Sequence, residues 1–77
     1  MGFRIREVVR EPIRLSRNRY EIAAVPVDES DYLGEWRCPL CDRGGQSASK
    51  HRRTAAALEW ARNCVSVHHA TTHGDGL

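Results

Sequence analysis

The sequence predicts a small α+β domain: about three to four antiparallel strands, then a Cys-x-x-Cys knuckle, then one carboxy-terminal helix. Three features carry this reading. Apolar and polar residues alternate with a period of two before Pro26, the pair Cys38 and Cys41 is spaced as a tight turn, and no Gly or Pro interrupts the stretch from about Lys50 to His69. A chain of 77 residues has room for one domain, set here at residues 1–70, with 71–77 as a flexible tail.

Each element follows from local chemistry. Phe3, Ile5 and Val9 alternate with Arg4, Arg6 and Arg10, as in a strand with one wet face. Pro12 lacks an N–H and interrupts, so Ile13 and Leu15 start a second short strand. Ser16 to Arg19 is polar and contains Asn18, which tolerates a left-handed backbone, so a turn is expected there. Tyr20, Ile22 and Ala24 alternate with Glu21, Ala23 and Val25 in a third strand that Pro26 ends. Residues 28–35 read as an acidic connector, Glu35 to Arg37 as a last short strand, and Gly44-Gly45 as a loop. Ser47 or Ser49 offers a helix N-cap. At about 100° per residue, Ala57, Leu58, Trp60, Ala61, Cys64, Val65, Val67 and His68 share one face, with Arg52, Glu59, Arg62, Asn63 and Ser66 opposite.

Composition calls for a staple. With one Phe, two Trp, two Tyr and one Met, the chain buries little area, and domains of this size often need a disulfide, a metal or a partner. Three cysteines cannot all pair within the chain. The opening MGFRIREVVREP has no apolar leader segment, and no run reaches the roughly 18 apolar residues of a membrane span. These features point to a reduced, cytoplasmic setting without membrane insertion, where clustered cysteines usually mean metal or catalysis.

Cys38 and Cys41 can direct two sulfurs at one tetrahedral ion. Cys64 and His68, four apart on the predicted helix, project from one face one turn apart. Three thiolates and one imidazole form a closed structural zinc set, and soft sulfur disfavours magnesium or calcium. Of the other histidines, His51 lies about 20 Å along the helix from Cys64, His69 is turned about 100° away, and His73 requires an ordered tail. The expected ligands are therefore Cys38, Cys41, Cys64 and His68. Residues 38–68 resemble a zinc finger of the two-cysteine, cysteine–histidine kind, with 22 residues between Cys41 and Cys64 where the familiar finger has about a dozen. The resemblance implies zinc as a structural cofactor.

Charge is segregated. Residues 1–20 carry six Arg against two Glu, a net of +4; residues 21–37 carry five acids against Arg37, a net of −4; the remainder returns to +2. A non-enzymatic module that binds nucleic acid is expected, through Arg4, Arg6 and Arg14 on the first strands and Lys50, Arg52 and Arg53 at the helix start. The alternative is a protein-interaction adaptor that docks through the acidic 28–35 segment or the strand edge at Ile13–Leu15. No Glu or Asp beside the ligands stands out as an obvious general base, and no small-molecule substrate is indicated. Trp36 and Trp60 flank the ligands and read as core.

Overall fold

The structure, a computed structural model, describes residues 6–73. Four antiparallel strands, β1 (Val9–Leu15), β2 (Asn18–Val27), β3 (Asp31–Cys38) and β4 (Arg43–Gln46), form one sheet in the order β1-β2-β3-β4. One helix, α1 (Thr54–His68), follows and runs into a π-helical turn (His69–His73). The expected α+β architecture is present, with its fourth strand after the knuckle rather than before it. Among the described residues, no helix is long and apolar enough to cross a membrane.

The sheet buries one face against α1. Tyr20, Ile22 and Ala24 of β2 meet Ala57, Leu58, Ala61 and Val65 of the helix, with Cys38 completing the cluster. Three of these eight are alanines, which lets helix and sheet approach closely. The closest approach is at Gly34, where a Cβ would come within 2.5 Å of the Ala57 carbonyl oxygen and 2.6 Å of the Trp60 ring. Val67, expected on the buried face, is 64 % exposed, because the contact stripe follows residues 57, 58, 61, 65 and 68.

Several local expectations change. The first two predicted strands are one: β1 passes through Pro12, which is tolerated because β1 is an edge strand. Its predicted beginning at Phe3 lies outside the described residues, and residues 6–8 are not in a strand. The left-handed residue of the first hairpin is Ser16, not Asn18. The acidic connector is mostly β3, and only residues 28–30 turn. There the Asp28 carboxylate accepts hydrogen bonds from the Ser30 and Asp31 N–H groups at 3.1 and 3.0 Å, closing the hairpin.

The helix begins later than predicted, at Thr54, with Arg53 in the cap position and no side-chain cap. Ser47, a predicted cap, is buried and does other work. Its hydroxyl accepts from the Gly34 N–H and donates to the Ser49 carbonyl, both at 2.9 Å. Residues 47–53 instead return along β3, with Tyr32 and His51 exchanging backbone hydrogen bonds at 2.7 and 2.8 Å. Residues 71–73, predicted as tail, belong to the π-helical turn.

Two predictions follow from this packing. Gly34→Ala is expected to cost about 1–3 kcal/mol, measured by urea denaturation, because the obstructing carbonyl cannot swing aside. Lys50 holds Asp28 at 2.8 Å, and with the Ser30 and Asp31 N–H groups it lowers the carboxyl from 3.8 to about 2. A depressed folded-state pKa means that this contribution is complete above about pH 4 and drains away as pH falls towards 2. Asp28→Asn is therefore expected to lower stability measurably at pH 6, with a smaller difference from wild type at pH 3 in parallel urea titrations.

Candidate metal centre

The knuckle is built at the end of the sheet. β3 delivers Cys38, residues 39–42 turn, and β4 returns with Arg43 opposite Cys38. Asp42 takes the left-handed conformation, φ 55°, that reverses the chain. Cys38 is fully buried and Cys41 partly so. The carboxy-terminal end of α1 lies against this turn, and His68, its last residue, is buried there.

Four donor atoms converge between these elements. Cys38, Cys41, His68 and His73 each offer one ligand atom, and all four atoms lie within 4.8 Å of one another. Cys41 Sγ is 3.3 Å from His68 Nε2, and Cys38 Sγ is 3.4 Å from His73 Nε2. A tetrahedral ion with sulfur at about 2.3 Å and nitrogen at about 2.0–2.1 Å has sulfur–nitrogen edges of about 3.5 Å. The donor set therefore fits around one metal ion.

Three of the four expected ligands come together, and Cys64 does not. Its place is taken by His73. The reason is the helix end. Cys64 sits one turn before His68, about 6 Å back along the axis, whereas the knuckle meets the helix at its last residue. Residues five apart on an α-helix point about 140° away from each other. The π-helical turn over His69–His73 widens the coil to i→i+5 spacing and brings His73 round above His68, their rings 5.1 Å apart. The sequence did carry a signal for this: His68 and His73 have the His-x4-His spacing common among zinc ligands.

The surrounding rings hold the site in place. The His68 ring packs 4.9 Å from Trp36 and edge-on to Tyr20 at 6.3 Å. His69 points away from the donors: its Nδ1 is 2.7 Å from the Tyr20 hydroxyl and its Nε2 is 3.4 Å from Ser16 Oγ. His51 is far off, bridged to Tyr32. Burial, and then the neighbouring His73, Arg43 and His69, lower the pKa of His68, which keeps its imidazole neutral and able to donate a lone pair. Burial and the adjacent Cys38 raise the Cys41 thiol. A cation between the sulfurs would reverse that preference.

The predicted basic residues do not form one surface. Arg4 lies outside the described residues. Arg6 is used internally, donating to the Val27 carbonyl at 3.0 Å and to the Asp28 carbonyl and covering the Tyr32 ring at 4.7 Å. Lys50 is taken by Asp28. Arg52 and Arg53 are exposed at the helix start, and Arg14 is exposed near the other end of the domain, a helix length of about 22 Å away. A different cluster, missed in the sequence, comes from strand register. Arg14 lies directly opposite Arg19, Arg17 sits in the turn between them, and Arg37 is one strand over, paired with Glu21. Among the described residues the ion pairs are Arg10–Glu21, Lys50–Asp28 and Arg62–Glu11, so none of these four arginines is in an ion pair, and Glu21, opposite Arg37, is taken by Arg10.

No protein-family model matches the chain, and neither a curated protein nor a solved structure matches it.

The ligand assignment has a direct test. His73→Ala is expected to weaken metal binding by more than the 10- to 100-fold typical of losing a ligand's hydrogen-bond partner. Cys64→Ser is expected to leave metal stoichiometry unchanged in native mass spectrometry. Cobalt substitution should give the charge-transfer intensity of two thiolates, and an intensity of three would restore Cys64 to the site.

Proposed function

We propose that the chain is a non-enzymatic, zinc-stapled module that binds nucleic acid through the open face of its sheet. Zinc is the ion of choice for two cysteine sulfurs and two imidazoles in tetrahedral reach of one another. Cys38, Cys41, His68 and His73 would hold it, and its role is to fasten the strand end to the helix end. Four protein donors leave no position for a reactive water, which supports a structural rather than a catalytic centre. Free thiols in all three cysteines suit a reducing compartment such as the cytoplasm.

The observation that carries the binding reading is the pairing of Arg14 with Arg19. Like charges directly opposite on a sheet are destabilising, and Arg17 and Arg37 add to the same end of the sheet. A polyanion laid across them turns that repulsion into attraction and releases counterions. Two thiolates and two neutral imidazoles around a dication form a neutral centre, so the knuckle beside the cluster does not repel phosphate. The adaptor reading gains less support. Asp28 is satisfied within its own turn, and Pro12 in the exposed edge strand has no N–H to offer an added strand.

Fluorescence anisotropy with labelled oligonucleotides tests the proposal. Affinity is expected to fall steeply with added salt, and the double change Arg14→Ala, Arg19→Ala to weaken binding and to flatten the plot of log affinity against log salt by about two phosphate contacts. An absence of salt-dependent binding to DNA or RNA at low ionic strength would remove this reading.

A further inference from the structure

The sheet has four strands and the helix covers chiefly the inner ones. Over β4 the space beside α1 is left as a cleft of about 770 Å³, with Trp36, Arg43 and Gly44 on the sheet side, Trp60, Asn63 and Cys64 on the helix side, and Asp42 at the knuckle. Trp36 and Trp60 are half-buried rather than core, and both line it. Gly45, where a Cβ would lie 3.0 Å from Trp36 Nε1, leaves the indole room against the strand.

We infer that this cleft receives an unpaired base of a single-stranded nucleic acid, which makes single strands the ligand of the module. The inference rests on the nucleic-acid reading above and adds to it the class of strand that is bound. Two indoles offer flat apolar surface on which any base can stack. Asn63 supplies an amide donor and acceptor and Asp42 a carboxylate, groups suited to the edge of a base but of no use to a purely apolar occupant. The rim carries the matching charge. Arg43 pairs with Cys38, and its neighbour Gly44 pairs with Arg37. Strand alternation puts Arg14, Arg19 and Arg37 on the open face of the sheet and Arg43, opposite Cys38, on the helix side at the cleft rim, so the two sets of charge meet around the edge strand β4. A backbone that passes from Arg37 over the edge strand β4 to Arg43 arrives at the cleft mouth with its bases free, whereas a duplex keeps its bases stacked inside.

The test uses the full, zinc-loaded chain with a short oligoadenylate, as DNA and as RNA, against a duplex of the same length. Single strands are expected to quench tryptophan fluorescence and to bind about 5- to 100-fold more tightly than duplex, the range that stacking one base supplies. Cys64→Phe fills the cleft beside His68 and leaves the four donor residues themselves unchanged. It should abolish both the quenching and the preference while leaving metal stoichiometry and the salt-dependent residual affinity intact. Asn63→Ala, an exposed change that spares the core, should reduce the preference in the same direction. Equal, salt-dependent binding of single strand and duplex without quenching would overturn the cleft assignment and leave the basic-face reading standing. No binding of either form would overturn both. A dimer in sedimentation that shields the tryptophans from a small quencher would assign the cleft to a second copy and overturn the inference.

Discussion

The domain depends on one cross-connection, the meeting of the strand end at Cys38 and Cys41 with the helix end at His68 and His73. Elsewhere the helix is held by a thin layer in which three of eight clustered residues are alanine. Alanine allows close approach and buries little area, so the layer supplies shape more than free energy. The approach at Gly34 works in the same direction: it removes a side chain to let the helix down. A metal-sized set of sulfur and nitrogen donors at one end is what such a layer needs, since metal binding to structural sites is itself folding free energy.

That connection also organises the charges. The acidic middle of the chain is folded into the sheet and its turn, where Glu21 and Asp28 each answer one cation, as Glu11 of β1 does. Arg14, Arg17, Arg19 and Arg37 gather at one end of the sheet through register, because a hairpin turn at Ser16–Arg17 sets Arg14 against Arg19. With two sulfurs rather than three, an ion in the site brings the centre to neutrality. Structural ligands and the unpaired cations thus share one end of the molecule without opposing each other.

Much of the architecture was legible because period-two alternation and a Gly- and Pro-free alanine-rich run are local signals. The strands around Tyr20–Ala24 and the helix through Leu58 and Val65 follow directly from them. What was not legible depended on partners distant in sequence. Pro12 looked like a break, and only its edge position makes it acceptable. Arg43 to Gln46 looked like a loop, since two glycines give no strand signal; the strand exists because Trp36 and Arg37 offer it a ladder and Gly45 makes room for an indole. In the site, Cys38, Cys41 and His68 were legible from spacing. His73 was not legible because residues 71–77 read as a flexible tail, whereas residues 71–73 continue the helix as a π-helical turn, which changes which residues share a face.

The same helix ending accounts for the shape of the free surface. Had Cys64 been a ligand, the helix would have to slide about one turn along its axis towards the knuckle, and its side would close over β4. With His68 and His73 as the meeting point, Cys64 stays out on the wall of the cleft and Val67 stays exposed. His68 then borders both places: one side of its ring faces the sulfur of Cys41, and the ring packs on Trp36, which floors the cleft. Holding the helix end therefore also sets the distance between the two indole walls. The donor set joins the strand end to the helix end, and through that one histidine it also sets the width of the opening that the helix leaves over β4.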